Sequence, residues 1–469
     1  MKLKLTIAIL CFCCSACYSQ DYLITKTLAL NDSIAFTSLQ YGRKDFGYGV
    51  VNSKGVMDWQ IPSPGFPLGM GKFHNKVLVF YTLENSDLRA LKDIHAAIVD
   101  LKTKKITADK EIYNTENKYK FVPIIINDPA GNFDMVLVRT TSLKRGLASY
   151  TSWPDDKFNE TTQLSAIYLD DNLNAQTKDI KSGSIGSFFM SACAGNNNDL
   201  YLCSYSNDQL TIEKFDRDNN LKSKLSTATS IKDHSAFFPL MQYDSVQGNC
   251  IDEAITYKNN HRDDILRTYR YDFNDQKAYA SDETPLDKDY KRALEKESGE
   301  KKLSNFKSMD ELRPVQIVET NDKVIVLKEI QYSFTPAGDD AEQFWRSGSL
   351  ITMYAKKDLH PERDIVIDKS FGTFIMGGTD IMSHVKNDKL YTVTCELAGA
   401  AKYKTYLYIT NMNDGVTDSK VLEKEDAGKG WTTHASTVMW FNNNFITPFC
   451  SGKAFIHLKF ETDLQSESY

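Results

Sequence analysis

The chain is short of several things, and each shortage excludes something. Of nine cysteines, four lie within the first 17 residues; only Cys193, Cys203, Cys250, Cys395 and Cys450 follow. No Cys-x-x-Cys pair occurs, which argues against a structural zinc site. Proline is scarce at 12 residues, against 24 tyrosines and 25 phenylalanines. That balance speaks against a disordered chain and favours strands. Basic residues are nowhere dense, and the net charge is −6. A nucleic-acid binder would carry a basic face, so nucleic acid is not an expected partner. After residue 17 no run approaches 18 apolar residues, so no further membrane span is indicated. Gly-rich phosphate loops, a Gly-x-Ser-x-Gly elbow and His-Glu-x-x-His are all missing. No catalytic motif supports enzyme chemistry, and no cofactor or metal is expected.

What is there begins with MKLKLTIAILCFCCSACYSQD. Lys2 and Lys4 precede an apolar run from Leu5 to about Cys17. The run is too short to cross a bilayer, and small residues follow it. The expectation is a signal peptide over residues 1–20 and an exported mature chain, periplasmic, at the cell surface or extracellular. Two processing routes are open. Ser15-Ala16-Cys17 resembles the end of a bacterial lipobox, with Cys14 in place of the usual Leu; Cys17 would then carry a lipid anchor. Cleavage near Ser19 or Gln20, the favoured route, resembles that of secreted Bacteroidota proteins.

The stretch YGVVNSKGVMDWQI (48–61) reads as strand, polar turn and returning strand. Comparable hairpins recur, with turn anchors near Asn52, Asp100, Asp170, Asp216, Asp272, Lys356, Asn411 and Glu461. Asp, Asn and Gly dominate the turns because they tolerate left-handed backbone and close their own turns. Two further strands usually precede each copy, as in RPVQIVETND then KVIVLKEIQYS. The unit is thus four antiparallel strands, a to d, recurring after 46 (Asp170 to Asp216) to 84 (Asp272 to Lys356) residues.

This pattern resembles the β-propellers, in which stacked four-stranded blades bury faces that one sheet cannot hide. The resemblance covers nearly all of the mature chain and rests on strand pattern alone. WD40, kelch and sialidase signatures are missing, and FGYGVVNSKGVMDWQIP resembles a single WG-type repeat. The expectation is one all-β domain over 21–469, a propeller of seven or eight blades with eight favoured. Seven would result if the N-terminal strand closed the last blade. In this scheme Trp59 packs between blades.

The a–b and c–d turns are short, so elaboration falls on the b–c and d–a connections. The b–c set comprises 84–93, 144–163, 333–347 and 397–404. The longest d–a segment, about 286–312, reads as a short solvated helix: Thr284-Pro285-Leu286-Asp287 as its cap, Gly299 as its end. Two b–c segments combine Trp with carboxylates, WPDDKF (Trp153, Asp155, Asp156, Phe158) and GDDAEQFWR (Asp339, Asp340, Trp345, Arg346). Exposed Trp on loops suits recognition of a protein or glycan, unless it folds back onto the blade edge.

Other candidates are weaker. Asp216-Arg217-Asp218-Asn219-Asn220 alternates oxygen donors as calcium loops do, but a turn explains it and the EF-hand Gly and Glu are missing. His234 and His434 each lie near the start of an a-strand, which places them at the channel mouth. Cys193 and Cys203 flank AGNNNDLYL. If Asn197-Asn198-Asp199 form the turn, the two stand opposite each other and suit a cross-strand disulfide, the alternative being two reduced thiols. The functional expectation is an exported, noncatalytic propeller binding a protein or glycan through its b–c/d–a loops. The alternatives are a hydrolase or lyase acting on polysaccharide or peptide with its site at the channel mouth, or a structural subunit of a cell-surface assembly.

Overall fold

Burial along each hairpin distinguishes middle from outer strands. Ile34–Gln40 and Phe46–Asn52 are buried at nearly every position, because sheets cover both their faces. Met57–Pro62, next in the same sheet, alternates half-buried and exposed. The computed structural model describes residues 22–41, 45–83, 91–114, 119–144, 161–183, 188–229, 231, 233–299, 302–334, 343–373, 381–397, 403–422, 431–433, 435–451 and 456–463.

Seven sheets are complete meanders whose four strands pair antiparallel in chain order. They span 23–62, 66–114, 119–179, 188–228, 233–280, 312–373 and 381–421 and are numbered here as blades 1 to 7. An eighth sheet follows at 431–463. Its first strand is broken into Trp431–Thr433 and Met439–Trp440 around the 3-10 turn Ala435–Thr437. Both pieces pair with Asn444–Ser451, which pairs on its other side with Ile456–Asp463.

The first strands of blades 1 to 7 touch one another in sequence. The ring closes because Ile381–Lys386 and Leu23–Asn31 both touch the Ala435–Thr437 turn. Every neighbouring pair of sheets has its own apolar cluster. That between blades 1 and 2 joins Phe36, Tyr48 and Val50 to Val77, Val79 and Ala97, and that between the last sheet and blade 1 joins Met439 and Ile446 to Ala35 and Val51. Each fully buried Val, Leu or Phe contributes about 1.5–3 kcal/mol. The fold is an all-β propeller. Trp59 lies edge-on to Phe36 at 6.2 Å and packs against the blade 1–2 cluster, as expected.

Seven of the eight turn anchors sit at c–d turns. In six of them the anchor side chain accepts a backbone N–H from two residues ahead, as Asn52 Oδ1 does from Lys54 N at 2.9 Å. The exception is Lys356, discussed below. The eighth anchor departs: Glu461 lies inside the strand Ile456–Asp463. Eight blades were favoured on the strength of that turn, but the described residues form seven complete blades. Within them the first strand, Leu23–Asn31, pairs with Ile34–Gln40 and does not close the last sheet.

Blade 6 is the longest. Its last three strands, Lys323–Phe334, Gln343–Ala355 and Pro361–Thr373, have 12, 13 and 13 residues, against 7, 7 and 8 in blade 4. At about 3.4 Å per residue the surplus projects roughly 17 Å. The surplus lies at the b–c end, because the ladder runs from Lys323↔Ala355 to Phe334↔Gln343.

The d–a insertion forms helix α1, Lys288–Ser298. Asp287 caps it by accepting from Asp289 N and Tyr290 N, and left-handed Gly299 ends it. Pro285 is not the first helical residue but pairs with Ile265 in a two-residue strand. Nor is the insertion wholly solvated: Leu286, Leu294, Leu303, Phe306 and Met309 pack on Leu266, Ile330 and Leu350. Gly348 permits this, because a Cβ there would stand 2.8 Å from the Phe306 ring.

Candidate functional site between blades 5 and 6

Among the described residues, a dense set of ionisable side chains lies at the a–b/c–d end of the seam between blades 5 and 6. Asp244 follows the inner strand Asp233–Tyr243 and opens its a–b turn, where its Oδ1 accepts from Val246 N and Gln247 N. Asp252 comes from the second strand, Cys250–Lys258, and Arg270 from the third, Asp264–Asp272. Across the seam, Glu319 ends the inner strand Leu312–Glu319, and Lys356 stands at the c–d turn.

Arg270 joins the two aspartates, Nη2 to Asp244 at 2.7 Å and Nη1 to Asp252 at 2.5 Å. A third bond, at 2.7 Å, runs from Nη2 to Gln247 Oε1. Lys356 Nζ crosses from blade 6 to donate to Asp244 Oδ2. This explains its departure from the turn pattern: it serves the neighbouring blade rather than its own turn. Asp244 and Asp252 are 0 % exposed, Arg270 2 % and Lys356 7 %.

One carboxylate oxygen each from Asp244, Asp252 and Glu319 lies within 4.8 Å of the other two. Hard-cation sites use such oxygens, but here Arg270 and Lys356 already neutralise part of the set. Asp252 Oδ1 and Glu319 Oε1 are buried and have no hydrogen-bond partner. Burial works to raise Asp244, but the hydrogen bonds from Lys356 and Arg270 outweigh it and hold the carboxyl at about 2. Burial pushes Asp252 up, with Arg270 opposing. Burial and the charges of Asp252 and Asp244 push Glu319 well above the carboxylate range.

Above this cluster opens a cleft of about 560 Å³ with Arg270, Lys356 and Gln247 among its lining residues. Tyr279, Asp275, Asp322 and Lys357 line it as well.

None of these residues has a functional role in the sequence reading, where Lys356 figures only as a turn anchor, although three signals are present. Asp252-Glu253 interrupts the otherwise apolar strand CIDEAITYK, Arg270 interrupts an aromatic one, and Lys356 is the odd turn anchor.

The residues that were singled out fall elsewhere. Trp153, Asp155, Asp156, Phe158, Asp339, Asp340 and His434 lie outside the described residues, as does Cys17. Trp345 and Arg346 are not loop residues. They lie in the strand Gln343–Ala355, because the ladder continues to Phe334↔Gln343, and Arg346 is buried at 3 % exposure. His234 is the second residue of the inner strand of blade 5.

Cys193 and Cys203 are not directly opposite. The turn is Gly195–Asp199, closed by Gly195 N to Asp199 O at 2.8 Å, so Cys193 faces Tyr201 and Cys203 faces Ser191. The pair is diagonal, a wider spacing than a disulfide tolerates, and both thiols are free. Burial pushes both thiols up, and Cys203 Sγ donates to Glu253. The Asp216 carboxylate is engaged by its own turn, accepting from Asp218 N and Asn220 N at 2.9 Å and from Lys222 Nζ at 2.6 Å.

No family model matches the chain, and no curated protein is similar to it. Among solved structures, the chain is similar to the WD40 domain of SCAP from fission yeast, at 8 % identity and TM-score 0.40, covering 92 % of this chain and 93 % of that one. It is also similar to the β-propeller domain of the Trilobed protease from Pyrococcus furiosus, at 10 % identity and TM-score 0.38, covering 86 % and 99 %. A GH43 β-1,3-galactosidase stands at 8 % and 0.32, covering 85 % and 88 %. Likenesses this distant say nothing of activity; the propeller assignment rests on the strand pairing and the closed ring.

Proposed function

We propose that this chain is an exported, noncatalytic β-propeller that binds a protein or glycan through its b–c/d–a face. One observation carries the choice of face. Blade 6 extends its b–c hairpin well beyond its neighbours, and the second strand of blade 3, Phe133–Lys144, is also 12 residues long. These two blades carry the Trp- and carboxylate-bearing segments, and helix α1 packs beneath the taller one. Segments that bring aromatic and acidic residues together on long hairpins suit recognition.

The enzyme reading calls for acidic or His side chains that converge where a substrate can touch them. The convergent acids between blades 5 and 6 offer little for this, since Asp244 and Asp252 are wholly buried and salt-bridged. They serve the blade seam instead.

Trp153→Ala combined with Trp345→Ala should reduce binding to a glycan array or to purified cell-surface proteins at least tenfold, with the melting temperature nearly unchanged. Undiminished binding removes the b–c face from consideration. Asp275→Ala with Lys357→Ala, on the opposite face, should leave binding intact. Export is tested separately by the mass of the mature N-terminus: cleavage near Gln20 is expected, and a diacylated Cys17 would replace it with anchoring.

A further inference from the structure

The seam between blades 5 and 6 has an unbalanced charge count. Asp244, Asp252 and Glu319 bring three carboxylates together, and Arg270 and Lys356 supply two positive charges. The other titratable groups around this cluster are Cys193 on blade 4, Cys250 and Asp272 on blade 5 and, lining the cleft above, Asp275, Tyr279, Asp322, Lys357 and Glu362. Burial pushes both thiols up, so they stay neutral, and Asp272 is turned to its own turn, accepting from Asn274 N and Asp275 N. One negative charge is left over. An uncompensated charge in such a place is costly, and a carboxyl group escapes the cost by keeping its proton.

The hydrogen bonds select which carboxyl does so. Asp244 accepts from two cations and two backbone amides and is therefore the ionised member. Asp252 holds Arg270. Among the described residues Glu319 has no ion pair of its own, and it comes from the opposite blade to hydrogen-bond Asp244.

We propose that Glu319 is a protonated carboxylic acid at neutral pH that donates to Asp244 across the seam, making the blade 5–6 junction a latch that loosens as the pH rises. Burial and the two neighbouring carboxylates raise Glu319, in agreement with this assignment. The folded chain then holds a proton that the unfolded chain releases above the ordinary carboxyl value of 4.5. A raised acid makes stability fall with rising pH, from about that value upward through neutrality. Arg270 and Lys356 line the cleft above, so loosening the latch also loosens one wall of that cleft.

The test is denaturant unfolding of the full chain from pH 5 to pH 9, for wild type, Glu319→Gln and Asp322→Asn. Gln keeps a donor toward Asp244 but does not titrate. The ratio of wild-type to Glu319→Gln unfolding constants should rise about tenfold per pH unit. Asp322→Asn, an exposed acid on the adjacent turn, should track wild type. Parallel curves for wild type and Glu319→Gln overturn the proposal. It is also overturned if calcium chloride at pH 9 restores wild type but not Glu319→Gln, since a metal ion would then be the missing charge. Infrared spectroscopy of the wild type needs no variant to fold: a protonated-carboxyl band is expected to persist at pH 9, above the value of about 7 to which burial lifts Glu253, and its absence overturns the assignment.

Discussion

The two seams of blade 5 use opposite faces of one strand. Along Cys250–Lys258, Ile251, Ile255 and Tyr257 face blade 4, while Asp252, Ala254 and Thr256 face blade 6. Strand periodicity of two makes this division automatic. Among the described residues the blade 4–5 seam gathers fifteen buried apolar or aromatic residues in one cluster, whereas the blade 5–6 seam divides its own between two clusters, one of six and one of nine built around the helical insertion. Even the acid facing blade 4, Glu253, is lifted by burial to about 7 and takes a thiol as its hydrogen-bond donor. One seam is therefore held chiefly by surface removed from water, with Glu253 as a titratable group inside it. The other adds to its apolar clusters, at the a–b/c–d end, a set of ions that must all be present together.

Breaking the ionic seam should produce the largest effect. Arg270→Ala strands the carboxylate of Asp252 where water does not reach and leaves Asp244 to Lys356 alone, and removing one partner of a buried pair costs about 3–5 kcal/mol. Adding Asp252→Asn should recover part of the loss, because one stranded charge disappears. Denaturant titration of both variants measures this. A loss below about 1 kcal/mol would mean that the seam is not ionic in the sense argued. The same seam should also weaken in acid. Asp244 is held at about 2, below its ordinary value of 3.8, so its stabilisation is present above 3.8 and is lost as pH falls toward 2.

The apolar seam should respond with a comparable but pH-independent loss. Ile255→Ala removes a fully buried side chain from the blade 4–5 cluster and should cost about 2–5 kcal/mol, depending on how far the cavity collapses. The cost should be the same at pH 5 and pH 9. A cost that grows with pH would show that the two seams are coupled through blade 5 and cannot be treated as independent elements.

The same contrast explains what the sequence revealed. Period-two burial and Asx turns are local, so seven c–d turns and Trp59's packing role were legible from residues adjacent in the chain. Cys193 and Cys203 are not opposite because the turn closes at Gly195–Asp199, centred one residue earlier than 197–199, which moves every partner by two residues. Trp345 and Arg346 were read as loop because nothing polar marks where blade 6 keeps pairing past its neighbours' length. The charged cluster was invisible for another reason. Asp244, Arg270, Glu319 and Lys356 are far apart in sequence, and only the stacking of two blades assembles them.

Helix α1 carries the smallest expected effect. It contributes one buried side chain of its own, Leu294, and its main role is to cover Ile330 and Leu350 at the base of the blade 6 projection. Asp287→Ala removes both side-chain capping bonds and should cost about 0.5–2 kcal/mol. The loss belongs at the far end of the seam from the ionic cluster, so it should add to that of Arg270→Ala and show no pH dependence between pH 5 and pH 9. Limited proteolysis should detect it first, as faster cleavage within 288–299, before any change in global unfolding. If Asp287→Ala instead steepened the pH dependence, the helix would have to transmit strain along the whole length of blade 6 to Glu319, and the seam would respond as one unit from its b–c end to its a–b turns.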